Sequence, residues 1–485
     1  MSFSQQPFRL AVIGSGPAGV YAADTLLRSA PVKNGELEVA IDLFDRLPAP
    51  FGLIRYGVAP DHPRIKGIIT ALHRILGRGD IRFLGDVEFG TDLTLADLRA
   101  HYDAVIFATG ALKDADLAVP GVELEGSYGA ADFVAWYDGN PDYPRTWDLD
   151  AESVAVIGNG NVALDVARVL AKSADELLRT EIPENVHQGL QAASTTDVHV
   201  FGRRGPAQTK FSPLEARELA HPKGLQVVMD PRDLEQITEA EWEAIKADKR
   251  THQVVQTFVN WLEEQQRREA AGEEPTDREG NPVSRRLHMH FWHRPVEILG
   301  EGGRVTGMRF ERTRLDAEGT LEGTGEFVDY ELGAVYRAVG YHGSELPEVP
   351  YDAKRGVITN QSGRVTAADG SVIPGLYANG WIKRGPVGLI GSTKSDAQQT
   401  IGHVVEDVEA GVVGDGDERG GREALIAELD AAGVPWTDWS GWELLDAYER
   451  RLGESDAHVR ERVKVVSREA MTGISRGQED VGPLY

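Results

Sequence analysis

The sequence contains no cysteine. That excludes a disulfide, a thiol redox pair, thiolate-ligated zinc and any iron–sulfur cluster held by the chain itself. Redox chemistry in such a chain needs a borrowed cofactor. Long apolar runs are missing as well: no stretch reaches about 18 apolar residues without a charge, so no membrane-spanning helix is expected. Few residues precede the first apolar run, Leu10–Ile13, which leaves no room for a signal peptide, and a cytoplasmic location is expected. Positive charge is scarce, with 51 Lys and Arg against 77 Asp and Glu leaving a net −26. Neither nucleic acid nor an anionic membrane suits that balance as a partner.

What is present is enough apolar residue, 41% of 485, to build more than one core. At roughly 150 residues per domain the length suggests two or three. Leu10–Ile13, Ala104–Ala108 and Val154–Ile157 read as buried strands, each followed by glycine, and helical patterns follow the first and third. Such alternation predicts an α/β fold with parallel, doubly wound sheets. The stretch from Leu214 to Arg286 is charged and helical in composition, and reads as an insertion and surface region. Strand-like alternation returns at Leu287–Arg312, and an apolar run at Val335–Gly340 leads to a glycine-rich region, Pro374–Gly391. Beyond it, Ile401, Val404, Val405 and Val408 share one helical face. The last 70 or so residues read as an acidic helical tail with Trp436, Trp439 and Trp442 as core anchors.

Two glycine motifs carry the chemistry. Gly14-Ser-Gly16-Pro-Ala18-Gly19 follows a strand and opens a helix: the glycines allow a tight turn, a close approach of pyrophosphate to the backbone, and close helix–strand packing. A helix N-terminus offers free N–H groups and a positive dipole end to phosphate. The next strand, Val39–Phe44, runs into Asp45, placed to bond a ribose hydroxyl. Gly158-Asn159-Gly160-Asn161-Val162-Ala163 repeats the pattern, so the chain is expected to bind two dinucleotides. Here the second strand, Val198–Phe201, ends in Gly202-Arg203-Arg204 instead of an acid. Two guanidiniums at that point suit the 2′-phosphate of NADP and leave NADH without an ionic partner.

Longer stretches resemble one family, the adrenodoxin reductase-like ferredoxin–NADP reductases. They are Pro50-Phe-Gly-Leu-Ile-Arg-Tyr-Gly-Val-Ala-Pro-Asp-His-Pro63, Gly158–Arg168, Gly202-Arg-Arg-Gly-Pro206 and Gly380-Trp-Ile-Lys-Arg-Gly-Pro386. The resemblance runs from about residue 8 to about residue 410. It implies two Rossmann-like domains, an NADP domain (113–340) inserted into a discontinuous FAD domain (1–112 and 341–485). It implies FAD contacts at Ala18, Asp45, Leu53, Val87, Trp381 and Gly388-Leu389-Ile390, beside the cradle glycines Gly14, Gly16 and Gly19. For NADP it implies Asn159, Gly160, Asn161, Val162, Arg203, Arg204, Glu215 and Gly388, with Glu215 toward the nicotinamide end. His62, in Asp61-His62-Pro63, resembles the family's histidine near the flavin and would gate protons there.

The implied activity is hydride transfer from NADPH to FAD and single-electron transfer to a ferredoxin-type iron–sulfur protein, by a monomer. This sequence departs from the family in an extended charged region around 248–281, in Thr209-Lys210 where small apolar residues are usual, and in its heavier negative charge. His288, His290 and His293 lie in Leu287-His-Met-His-Phe-Trp-His293, without a carboxylate or cysteine beside them. That stretch resembles an ordinary strand of the family's NADP domain, and no metal is expected.

Overall fold

Phe8–Ile13 is buried along its whole length, as a strand covered by helices on both faces must be. The computed structural model describes residues 6–388, 390–414 and 419–485. The chain divides into two compact units. Met1–Lys113, Asp138–Asp142 and Gly340–Tyr485 form the first; Asp114–Tyr137 and Tyr143–Val339 form the second.

The first unit is built on a seven-stranded sheet. From one edge its strands are Asn360–Gln361, Arg364–Thr366, Val372–Ala378, Ala104–Phe107, Phe8–Ile13, Val39–Phe44 and Ile81–Leu84. The last five run parallel, with Leu10 beside both Ile41 and Ala104. Alternate residues of Phe8–Ile13 enter different cores. Leu10 and Val12 pack with the helices Pro17–Leu27 and Ile390–Glu409, Ala11 and Ile13 with Leu95, Leu98, Leu425 and Leu429. On Ile390–Glu409, Ile401 and Val404 are buried and Val405 and Val408 lie partly buried against the same core. The helix starts at Ile390.

The acidic tail is part of this unit's core. Its helix Trp439–Ser455 buries Trp442 and delivers Glu449, fully buried, to Arg55. Trp436 and Trp439 are only partly buried at the core margins.

The second unit holds a six-stranded parallel sheet in the order Ser127–Gly129, Ala334–Arg337, Ser153–Ile157, Asp197–Phe201, Arg285–His290, Leu225–Met229. Helices Asn161–Ala171 and Lys249–Ala271 share one large core with it. An antiparallel sheet of His293–Glu301, Arg304–Leu315 and Leu321–Glu331 lays Met308 and Phe310 onto Ala155, Ile157 and Phe201. The expectation that 214–286 is an insertion at the surface is corrected here. Leu225–Met229 is a strand of the sheet, and Val254, Val255, Phe258 and Leu262 make a buried stripe along Lys249–Ala271. The charges of that helix lie on its other faces and mask a helical period that is present. Among the described residues no helix is long and apolar enough to cross a membrane.

Candidate cofactor sites

In the first unit the chain leaves the strand at Ile13 and enters the helix at Pro17, with Gly16 as N-cap. Gly14 has φ 108°, and a Cβ there would stand 2.5 Å from the Ala108 carbonyl oxygen. At Gly19 a Cβ would meet the Gly14 carbonyl oxygen at 1.9 Å, so the helix lies against the turn only because residue 19 is glycine. A glycine N-cap has no side chain to accept from the first-turn N–H groups, and these donors remain for an anion.

Around this cradle the structure gathers most of the residues expected to hold FAD. Asp45 accepts from Ser15 N at 2.9 Å, Ser15 Oγ at 2.5 Å and Leu47 N at 3.0 Å. Burial pushes its carboxyl above the ordinary value, and those hydrogen bonds pull it part of the way back. The sequence pattern placed Asp45 at the strand end but not its bonds to Ser15. Phe51 N donates to Ser15 O at 3.1 Å, which brings the turn before Leu53 against the cradle. Val87 is buried and donates its N–H to Asp45 O at 2.9 Å. Asn379 Nδ2 donates to Ala18 O at 2.9 Å, and a Cβ at Gly380 would stand 2.5 Å from Ala18 Cβ. Trp381 follows directly, half-buried, with its ring stacked at 6.4 Å from Tyr341. His62 is half-buried and precedes the short helix Pro63–Lys66. Gly388 is exposed at φ 91°. Leu389 and the Ile390 side chain lie outside the described residues.

The second unit repeats the design. A Cβ at Gly158 would stand 2.3 Å from Ala338 O, and Gly160 is the N-cap of Asn161–Ala171, into whose core Val162 leans. Asn159 packs on Gly202, where a Cβ would meet Asn159 Nδ2 at 2.1 Å, so the cradle and the arginine turn are neighbours. Asn159 Oδ1 and Asn161 Oδ1 are buried polar atoms without a hydrogen-bond partner among the described residues. Arg203 and Arg204 are exposed. Glu215 stands at the third position of Pro213–Glu218, in a capping box with Ser212: Ser212 N donates to its Oε2 at 2.5 Å. The preceding Thr209-Lys210 touches the cradle, Lys210 N donating to Asn159 O at 3.3 Å.

Pairing of the strands brings His199 into register with His288, and His199, His288 and His290 set one ligand atom each within 4.8 Å of one another. The His199 ring stacks 4.2 Å from His288 at 6° and 5.2 Å from His290 at 10°. Imidazole lone pairs lie in the ring plane, so three nearly parallel rings do not converge on one ion as they stand. Instead the polar atoms satisfy one another: His199 Nδ1 lies 2.9 Å from His290 Nε2, and His288 Nε2 is 2.8 Å from Asp197 Oδ1.

Burial holds all these imidazoles neutral, with His199 pushed down to about 3, His293 to about 4, and His288 and His290 also lowered. Each then takes up a proton on unfolding below its ordinary 6.5, so the stability it contributes is present above that pH and lost as pH falls toward 4 and 3. Burial raises Asp114 and Asp233 to about 6, and Asp45 and Asp132 above their ordinary value, and these carboxyls act with the opposite sign, so the net slope is a balance between the two sets. The histidine part is isolated by comparison: between about pH 6.5 and 4.5 His293 is expected to contribute a loss of stability of up to about 1.4 kcal/mol per pH unit. Thermal melts of wild type and His293→Gln check this: the variant should show the shallower slope, and equal slopes would assign the acid sensitivity elsewhere.

Two sheets with parallel strands at their centres, each with a glycine cradle at a strand end, are the design of the two-dinucleotide class of oxidoreductases. A family model described as pyridine nucleotide-disulphide oxidoreductase matches residues 8–204. The absence of cysteine removes the disulfide chemistry of that description. Over 95% of its length the chain is 37% identical to the mitochondrial NADPH:adrenodoxin oxidoreductase of Arabidopsis thaliana, spanning 94% of that protein. It is 36% identical to the NADPH-ferredoxin reductase FprA of Mycobacterium tuberculosis over 97% of this chain and all of the relative. The solved structure of that mycobacterial protein in complex with NADPH superposes with a TM-score of 0.86, at 36% identity over 97% of this chain and 100% of the other. The chain belongs to the family of adrenodoxin reductase-like ferredoxin–NADP reductases.

Proposed function

We propose that the chain, as a cytoplasmic monomer, holds FAD in its first unit and NADPH in its second, accepts hydride from NADPH and delivers electrons singly to a ferredoxin-type iron–sulfur protein. The observation that carries this reading is the contrast between the two cradles. One is followed by a strand ending in an acid, Asp45; the other by a strand ending in Arg203-Arg204. When bound, FAD supplies the conversion of a hydride into single electrons, which no side chain of a cysteine-free chain can perform.

The chain's own residues bind, orient and shield. The first turn of Pro17–Leu27 donates N–H groups to a pyrophosphate, and Asp45, fixed by Ser15, receives a ribose hydroxyl. Leu53, Val87 and Trp381 present apolar surface that excludes water. His62 takes the part that the resemblance implies for it, gating protons to the flavin. In the second unit Asn161 opens the helix that receives the second pyrophosphate, Arg203 and Arg204 pair with the 2′-phosphate, and Glu215 is held by its capping box for the nicotinamide end.

Anaerobic titration of the yellow protein with NADPH tests the whole reading. One equivalent should bleach the flavin band, acid extraction should release FAD, and an oxidised ferredoxin should restore the colour by accepting electrons one at a time. FMN or no flavin in the extract would overturn it. A nucleotide sensor of the same architecture would instead turn over poorly with any one-electron acceptor.

A further inference from the structure

Arg203 and Arg204 are long, exposed side chains, and among the described residues neither guanidinium has a partner. Whatever order this pair possesses comes from the backbone beneath it. Three consecutive carbonyls there are held: Gly202 O accepts from His293 N at 2.9 Å, Arg203 O from Thr313 Oγ1 at 2.8 Å, and Arg204 O from Trp292 N at 3.2 Å. Gly202 N in turn donates to His290 O at 2.8 Å. A surface turn ordinarily leaves such groups to water.

Two of the donors, Trp292 N and His293 N, sit on a strained turn. Trp292 has φ 61°, a conformation that a bulky residue adopts only when its surroundings impose it. What imposes it is a buried polar pair 79 residues apart. Asp233, 0% exposed, accepts from Phe291 N at 2.7 Å through Oδ2, and its carbonyl accepts from Trp292 Nε1 at 3.1 Å. Arg312, 3% exposed, donates both terminal nitrogens to Asp233 Oδ1 at 3.0 Å and one to Phe291 O at 3.2 Å. Thr313 N closes the ring on Trp292 O at 2.9 Å. The indole lies against the arginine turn so closely that a Cβ at Gly205 would stand 2.0 Å from Trp292 Cζ2, which accounts for the second glycine of Gly202-Arg-Arg-Gly205.

From this we infer that Asp233, Arg312 and Thr313 are positioning residues that set the preference for NADPH over NADH without touching the cofactor, by fixing the turn that carries Arg203 and Arg204. The inference rests on the reading of those arginines as the 2′-phosphate contacts. A guanidinium pair on a loosened turn still attracts a phosphate but loses its directed hydrogen bonds, so the loss falls on NADPH and on KM.

The test uses the full-length flavin-loaded protein and an artificial one-electron acceptor, with NADPH and NADH compared in Thr313→Val, Thr313→Ser, Asp233→Asn, Arg203→Ala and Arg204→Ala. Thr313→Val should raise KM for NADPH about three- to tenfold and Asp233→Asn about ten- to thirtyfold. NADH kinetics and kcat should stay near wild type, and Thr313→Ser, which keeps the hydroxyl, should keep the preference. If the arginine variants lose NADPH selectively while Thr313→Val does not, the positioning role is overturned and the arginine reading stands. If the arginine variants leave the NADPH to NADH ratio unchanged, that reading falls and the inference falls with it. Should Asp233→Asn not fold, the milder threonine pair decides alone.

Discussion

Replacing Glu449 by alanine is expected to cost about 3–5 kcal/mol of folding stability, because it leaves a buried guanidinium without its counter-charge. Arg55 and Glu449 are 1% and 0% exposed at their side chains and meet in a double contact of 2.5 and 3.0 Å. Glu449 also accepts from Val465 N at 3.0 Å. Arg55 lies 5.3 Å from the Trp442 ring, with water excluded from both faces of the contact. Nor is this pair isolated: Lys464 Nζ donates to Arg55 O at 2.6 Å and to Asp138 O at 3.0 Å, and Lys66 Nζ meets Asp138 Oδ1 at 3.1 Å. A cation stranded there has no route to solvent short of unfolding the region.

The effect should reach the flavin. Arg55 stands in the same turn as Phe51 and Gly52, which rest on Ser15 and Gly16 of the first cradle. Denaturant titration of the flavin-loaded protein, followed by tryptophan and by flavin fluorescence, should show both signals moving together to lower denaturant in Glu449→Ala. Arg55→Met combined with Glu449→Leu removes both charges and fills the volume, and should recover most of the loss. A single variant within about 1 kcal/mol of wild type would mean that water reaches the pair and that the tail is dispensable to the cradle.

What could be read from the sequence was whatever is local. The cradles at Gly14 and Gly158, the acid at Asp45 and the arginines at 203 and 204 are each a short spacing after a β-branched or aliphatic strand, and that spacing carries its own geometry. The strands Phe8–Ile13 and Ser153–Ile157 differ from their expected bounds by only a residue or two. What stayed hidden depends on residues distant in the chain. Asp233 and Arg312 are individually unremarkable charges; only the fold makes them a pair. Ser15 reaches Asp45 across 30 positions, and Arg55 reaches Glu449 across 394. The region 214–286 hides its core for a different reason: its charge density suggests a solvated surface, while the four buried positions of Lys249–Ala271 contribute a core face that composition averages away. The histidine stretch shows both effects. His288 and His290 are legible as one face of a strand, but the third ring, His199, and the carboxylate Asp197 arrive from the neighbouring strand.

Arg203→Ala and Arg204→Ala, made separately, are expected to reduce kcat/KM for NADPH by about ten- to a hundredfold, since a hydrogen bond to a charged group contributes roughly 1.5–3 kcal/mol. NADH, which has no 2′-phosphate, should lose little. The loss should fall on KM with kcat at saturation unchanged, because a phosphate remote from the reacting carbon is bound equally in the ground and transition states. Both guanidiniums are exposed, so part of their attraction is screened, and the loss should be largest at low ionic strength. The backbone beneath them is held by Thr313, Trp292 and His293, so removing one side chain should not collapse the turn or move its neighbour. That separates this prediction from a general loss of structure: the two single variants should each be selective for NADPH, and the double variant should approach the wild-type enzyme's efficiency with NADH. An equal loss with both nucleotides would make the arginines structural or docking residues. The assignment of the second cradle to NADP would then have to be withdrawn.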